Sequence, residues 1–394
     1  MLFIIIFIYL LVPVLLFDVN RVKADDSIKN IFYYSSLVIL ITIAGLRYRI
    51  GMDTINYMYD FDNHTPLLKE FSFSRIKYEP LWSLLLSLCK SIVNNFVLFQ
   101  IIHAIFVNTV IFWFIKKYTI YKFTATFFYY VCFYIYFNAE FLREAFAIGC
   151  LLLSYPYFTK EKWVKYYMLA ITAVLFHYSA LILLIFPLLK KFRFDTKNFF
   201  LFLGVSVLLV GFSEQLIGLL LGLLKMIGIS ERLEIYLFFK LNYKGIIANY
   251  ILYIFIPAFV IYVNKRLIGQ NSFNDLYIIY FAIVFAIVVF DPLFRLKNYM
   301  LVFCMVYWTN FIYLFSQWQF VRSLRKVVIC FLFIFYITLD FVIYFKDTSE
   351  KVNETKFYNR YYPYYSVLSP KKYPPREKLW RVFAGWEKPN SKKK

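Results

Sequence analysis

The chain has 394 residues, 62% of them hydrophobic and 23% aromatic, with only 17% charged and a mean hydropathy of +0.63. A soluble domain carries about 45–50% apolar and about 25% charged residues, so a soluble enzyme is excluded, as is a disordered chain. The net charge of +21 would suggest nucleic acid in a soluble protein; in a membrane protein it is what lysine- and arginine-rich cytoplasmic loops supply, and no nucleic-acid partner is expected.

An apolar run at 1–17 lacks a basic leading region and a small-residue cleavage site, which predicts a retained first helix rather than a signal peptide. Runs approaching the about 20 apolar residues needed to cross a bilayer follow at 31–46, 97–115, 123–137, 144–159, 199–225, 246–263, 275–290, 297–316 and 327–345. Two stretches are ambiguous. Residues 80–94 are short and carry Lys90, and 166–189 reads either as one span or as two half-spans meeting at His177. The expected organisation is a polytopic domain over 1–345 with an outer loop at 47–79, followed by a basic, Tyr/Pro-rich extramembrane tail at 346–394 that is ordered in part. No internal repeat is visible, which argues against a transporter built from inverted halves. The five cysteines lie singly, with no CxxC, so a disulfide scaffold is excluded.

Short-loop cations set the orientation. Placing 18–30, 116–122, 160–165, 190–197, 264–274 and 321–326 inside gathers Arg21, Lys116, Lys117, Lys160, Lys190 and Arg322 with their basic neighbours on the cytoplasmic side. This threading makes 80–94 dip without crossing and sends 166–189 out and back at His177. Eleven helical residues reach only about 16 Å, so such arms must be half-helices packed in protein. The rival threading makes both stretches full crossings and puts the lysines of 116–122 and 160–165 outside.

The preferred threading gathers an unusual set on the outer face: Arg47, Arg49, Asp53, Asn56 and Tyr57 in RYRIGMDTINY; Glu140, Arg143 and Glu144 in NAEFLRE; His177 in LFHYSAL; Asp291, Arg295 and Lys297 in DPLFRLKN; and a Tyr-Pro-Tyr cluster at 362–364. Ionisable groups near the hydrocarbon boundary are costly and usually functional. Arginine's five donors in a fixed fork suit phosphate, so the set suggests an anionic head group such as a lipid-linked pyrophosphate. A structural role is the alternative for each: snorkelling for Arg47 and Arg49, an ion pair with Glu140 and Glu144 for Arg143, a core hydrogen bond for His177, pairing with Asp291 for Arg295, and a turn or cap for Asp53. The three histidines show no HxxxH or HxxH spacing, so no catalytic metal is expected. No phosphate loop, dinucleotide fingerprint or GxSxG elbow is present, and no cofactor is expected.

GLRYRIGMDTINY, FLREAFAIG and LFHYSAL, in that order and at these separations, resemble the EpsG/Wzy type of bacterial polysaccharide polymerase. The matching positions are Arg47, Gly51, Asp53 and Tyr57; Arg143; His177, Ser179 and Ala180; Arg295 and Tyr299; and Pro363 and Tyr364. The resemblance runs over roughly 45–365. Glu144 departs from it, standing where the family often has glutamine. The resemblance implies an all-α, multi-helix architecture like that of the lipid-carrier glycosyltransferases, with about 10–12 spans plus half-helices. It implies a metal-independent polymerase of O-antigen, capsule or exopolysaccharide repeat units in the bacterial inner membrane, its site facing the exterior. The substrate implied is an undecaprenyl-pyrophosphate-linked oligosaccharide in a lipid bilayer, with a chain-length regulator and a flippase as pathway partners. In that reading Arg47, Arg49, Arg143 and Arg295 hold pyrophosphate, and Tyr57, Tyr299 and Tyr364 bind substrate. His177 is the base, with Asp53 and Glu140 as alternates. A glycan ligase and a lipid-oligosaccharide flippase are the rival classes. The first usually has a large late outer loop, where 226–245 is modest. The second needs polar groups along the whole crossing path.

Overall fold

The computed structural model describes residues 2–191, 250–267, 276–289, 291–341 and 357–384, with single positions 204, 205, 208, 212, 215, 247, 273 and 386. The fold is all-α, with no β-strand among the described residues. In chain order the helices are α1 (Leu2–Pro13), prolonged by a π-helical turn (Val14–Val19), α2 (Asp26–Gly45), α3 (Met52–Asn63), α4 (Pro80–Ile92), α5 (Phe96–Tyr118), α6 (Lys122–Phe128), α7 (Leu142–Thr159), α8 (Trp163–Phe176), α9 (Phe186–Leu189), α10 (Ile256–Leu267), α11 (Tyr277–Val289), α12 (Leu301–Phe315), α13 (Arg325–Phe341) and α14 (Pro374–Phe383). They form two compact units, Met1–Ala180 with Trp308–Lys394, and Leu181–Tyr307.

Leu2–Val19, Asp26–Gly45, Phe96–Tyr118 and Arg295–Phe315 are long and apolar enough to cross a membrane, and shorter apolar helices accompany them. The chain is a multi-pass membrane protein. The predicted runs at 31–46, 97–115, 144–159 and 275–290 fall on α2, α5, α7 and α11. The run at 123–137 is α6 continued by two π-helical stretches, Tyr129–Tyr134 and Tyr136–Glu140. The 199–225 run and the 226–245 stretch lie outside the described residues, apart from single positions.

In the first unit the loop cations gather at one end of the bundle. Lys116 Nζ reaches Tyr34 Oη (2.8 Å) and Lys122 Nζ reaches Asn30 Oδ1 (3.2 Å), so the α5–α6 loop meets the start of α2. The Asp18 carboxylate accepts the Thr124 amide at 2.8 Å, bringing the end of the first span to the same place. Arg325 donates to Val19 O at 3.5 Å. The end of α7 joins them through the Tyr118–Tyr155 ring contact at 5.4 Å. Loops 18–30, 116–122, 160–165 and 321–326 therefore share one end, the arrangement that the preferred threading requires of them; loops 190–197 and 264–274 lie largely outside the described residues.

Loop 47–79 occupies the opposite end. α4 there has 13 residues, about 20 Å of helix, too short for a hydrocarbon core of about 30 Å. Its first turn stays beside the starts of α5 and α7, Glu79 contacting Arg143 and Trp82 packing on Phe99 at 4.8 Å, and its last turn returns to the same loop, Lys90 Nζ donating to Phe61 O at 2.5 Å. α8 breaks where the sequence placed the turn. It ends at Phe176, and His177 is extended at φ −156°, ψ 121°. Gly149 lets α7 close on α5, because a Cβ there would stand 2.5 Å from the Phe106 ring.

In a cysteine-free background, Lys117→Cys and Lys162→Cys are expected to react with an impermeant maleimide from one side of the membrane, and Asn63→Cys and Lys371→Cys from the other. Labelling of Lys162→Cys together with Asn63→Cys overturns this arrangement.

Candidate active site

Beyond α2 the chain reverses through Arg49 and Gly51, both at positive φ (51° and 91°). Gly51 is required for space as well as conformation, since a Cβ would lie 2.2 Å from Ala139 O. The reversal launches α3, whose first amides, Met52 and Asp53, donate to Glu140 Oε2 at 3.1 and 3.2 Å. A carboxylate from another helix thus serves the orphan donors of this helix start. Arg47 is 3% exposed. It donates to Ala44 O and to Thr54 Oγ1 (3.2 Å), and Thr54 Oγ1 donates to Ala139 O at 2.8 Å. Burial pulls its pKa down to about 10.

The C-terminal tail closes over this loop. Tyr48 N donates to Tyr365 O (2.8 Å), Val367 N to Leu46 O (2.8 Å) and Gly51 N to Arg360 O (3.1 Å). Tyr364 Oη reaches Ile43 O at 3.1 Å. Arg49 forms a bidentate pair with Glu377 at 2.7 and 2.5 Å and lies over the Trp380 ring. Arg376 is fully buried and serves three carbonyls, Asn359 at 3.2 Å, Arg49 at 3.1 Å and Pro363 at 2.7 Å. Met52, Ile55, Leu379, Trp380 and Val382 form the apolar seam between α3 and α14.

The other face of α3 turns to a carboxylate that composition and motif did not single out. Glu79 is 3% exposed in its side chain. Its Oε1 accepts from His177 Nδ1 at 2.9 Å and from the Tyr178 amide at 3.3 Å; its Oε2 accepts from Arg143 Nη1 at 2.5 Å. Arg143 Nε also donates to Tyr57 Oη at 2.8 Å, and its guanidinium lies 4.7 Å from the Tyr78 ring centre. Burial pushes the Glu79 carboxyl up, but the His177 hydrogen bond and the Arg143 charge outweigh it and hold it at about 2. Tyr78 Oη donates to Asp60, which also takes Lys77 Nζ at 2.8 Å and meets His64 Nδ1 at 3.1 Å. Burial would raise the Asp60 pKa; the Lys77 and Tyr78 hydrogen bonds lower it.

The expected site residues therefore divide. Arg143 and His177 converge on Glu79, and Tyr57 joins them through Arg143 Nε. Arg47, Arg49, Asp53, Glu140 and Tyr364 lie in the adjoining frame of loop and tail. Arg295 and Tyr299 belong to the second unit, on the 3-10 stretch Asp291–Met300, Arg295 exposed and Tyr299 buried. The core histidine is His103, whose Nε2 meets Leu142 O at 3.1 Å while its buried Nδ1 has no hydrogen-bond partner among the described residues. Glu79 had one signal in the chain: a carboxylate immediately before Pro80 at the start of an apolar helix. No group of three His, Cys, Asp or Glu among the described residues is placed to hold a metal.

The chain is thus a multi-pass membrane protein with a Glu79–His177–Arg143 cluster at one end of the first unit's bundle. The chain matches the EpsG family over residues 30–366 and belongs to it, a family of polysaccharide polymerase-like membrane proteins. No curated protein and no solved structure matches.

Two outcomes test this geometry. Gly51→Ala is expected to destabilise the protein by about 2 kcal/mol or more, read as a lower melting temperature in detergent; an unchanged melt refutes the close approach. Because Glu79 is held below its ordinary 4.5, at about 2, the stability from its pairs is complete above about pH 4.5 and is lost as pH falls through 2. Glu79→Gln should flatten that acid limb, and an unaltered acid limb contradicts the pairing.

Proposed function

We propose that the chain polymerises lipid-linked oligosaccharide repeat units at the outer face of a bacterial cytoplasmic membrane. It passes the growing glycan from undecaprenyl pyrophosphate to a non-reducing-end hydroxyl of an incoming lipid-linked repeat. The observation that carries the reading is one buried carboxylate shared by a histidine and an arginine, His177 Nδ1–Glu79 at 2.9 Å and Arg143–Glu79 at 2.5 Å, in a chain of the EpsG family.

The chemistry follows from the hydrogen-bond roles. An ionised Glu79 accepts only, so the Nδ1 of His177 carries the proton, and in the neutral ring Nε2 keeps its lone pair. The acceptor hydroxyl oxygen attacks the anomeric carbon of the donor, Nε2 takes the hydroxyl proton, and the sugar–phosphate bond breaks with its electron pair leaving on the lipid pyrophosphate. Arg143 spends Nε on Tyr57 and Nη1 on Glu79, which sets the guanidinium plane and leaves Nη2 to bind the leaving phosphate as its charge grows. Arg47, Arg49 and Glu140 act here as the frame that holds α3, with Asp53 on its first turn and Tyr364 beside it. Arg295 and Tyr299 lie in the second unit, Tyr299 fully buried there, and no step is assigned to them. The reaction requires neither metal nor cofactor. A flippase and a chain-length regulator are the proposed pathway partners.

Complementation of a deletion strain, with surface glycan length as the readout, tests the reading. His177→Ala and Arg143→Ala, at normal membrane levels, are each expected to cut polymer formation about 100-fold or more, leaving single repeat units. Long chains from both variants remove these residues from the site. A deletion strain with no surface repeat at all points instead to a flippase or ligase.

A further inference from the structure

The α3–α14 seam ends in a group of rings that the proposed reaction does not use. Tyr59, on the last turn of α3, meets the Trp386 ring at 4.9 Å, and Trp386 meets Trp380 at 4.8 Å, both edge-to-face. Trp380 is committed, its indole N–H donating to Asn56 Oδ1 at 2.6 Å and its ring under Arg49. Trp386 and Tyr59 instead keep open surface, 53% and 37% exposed. Trp386 is held in place by its amide, which donates to Arg381 O at 2.9 Å.

These rings are continuous with the candidate active site. Tyr59 lies 5.6 Å from the His64 ring, and His64 Nδ1 is 3.1 Å from Asp60. Asp60 accepts from Tyr78, whose ring lies under Arg143. The side chain of Lys77, bonded to Asp60, is 61% exposed. The surface running outward from Arg143 thus sets exposed rings beside the Lys77 ammonium and the His64 imidazole, 61% and 56% exposed, both anchored on the buried Asp60 carboxylate. A pyranose has the same mixture: an apolar C–H face that packs on a ring, and a rim of hydroxyls that donate and accept.

We propose that this strip is a glycan-binding track, with a saccharide unit stacked on Trp386 and Tyr59 and the units nearer the reacting centre hydrogen-bonded by Lys77 and His64, which the buried Asp60 holds in place. The occupant is an oligosaccharide longer than one unit. The track rests on the polymerase reading and adds to it a grip on the sugar chain itself, separate from the grip on the phosphate. The lipid-facing alternative for exposed aromatic residues is an interfacial belt. It does not account for the polar groups between these rings and Arg143, which is why a saccharide is the occupant assigned.

The probe is the oligosaccharide released by mild acid from the source organism's own lipid-linked glycan, titrated against the full-length protein in nanodiscs. Wild type and His177→Ala are expected to bind it alike. Trp386→Ala and Tyr59→Ala should weaken binding about tenfold, the effect of removing one stacked ring, and Trp386→Phe should retain most of it. Melting temperatures within a degree or so of wild type exclude misfolding, and Trp386→Ala, which removes a half-exposed ring, is the variant on which the test turns. Equal affinities for wild type and Trp386→Ala overturn the track, and so does quenching of Trp386 fluorescence by brominated lipid, which places the ring in the bilayer. Polymer made normally by wild type while Trp386→Ala binds glycan undiminished defeats the track but leaves the polymerase reading standing; loss of that reading shows instead as a deletion strain with no surface repeat at all.

Discussion

A carboxylate that is 3% exposed at the end of a membrane bundle is tolerable only if its charge is met, because the penalty for burying an unpaired ion is large. Glu79 meets this constraint with a histidine and an arginine brought from different helices, and the rest of the site follows from that. Arg143 sits at the start of α7, His177 at the break after α8, and Tyr57 midway along α3. Drawing Arg143 and His177 to one carboxylate, with Tyr57 held on Arg143 Nε, fixes the start of α7 and the end of α8 against the middle of α3. The same pairing sets the protonated nitrogen of His177, because an ionised carboxylate only accepts.

Holding α3 in place takes more than that contact, since the helix carries little apolar surface of its own. Its first amides are met by Glu140, its entry is held by buried Arg47, and its outer face is covered by α14. Arg376 and the Arg49–Glu377 pair then tie the tail to the loop through backbone carbonyls and a bidentate bridge. Multiple polar bonds substitute here for the large apolar core that an extramembrane segment of this size does not have. The tail is accordingly part of the site's frame, although it is the stretch farthest from the site in sequence.

Within the membrane the π-helical stretch leading to Glu140 connects the bundle to the site. Wider helical turns leave carbonyls free for other donors. Asn138 Nδ2 uses one, Tyr134 O at 2.8 Å, while its Oδ1 accepts from Asn108, whose own Oδ1 takes the Tyr129 hydroxyl. This buried amide network pins α5 against the helix that delivers Glu140. Ala139 O, one residue before Glu140, is the atom that Gly51 must approach. Glycine in the loop and π-turns in the span are two halves of one close contact.

By itself the sequence determined the class of protein and much of its layout. Apolar runs of bilayer length and the lysine bias of short loops depend only on composition along the chain, so the spans, the shared lysine end and the break at His177 were legible, as were Arg143 and His177 as notable ions. Gly51 was legible as a motif residue, but its neighbour Ala139 was not. What only tertiary structure decided is which charges meet. Glu79 is 64 residues from Arg143 and 98 from His177, Arg49 is 328 from Glu377, and no local periodicity encodes such pairs. Sequence proximity suggested that Arg143 answers to Glu140 and Glu144. Helix packing instead carried Glu140 to the start of α3 and turned Arg143 to Glu79, because a buried ion takes whichever opposite charge the fold brings within hydrogen-bonding reach.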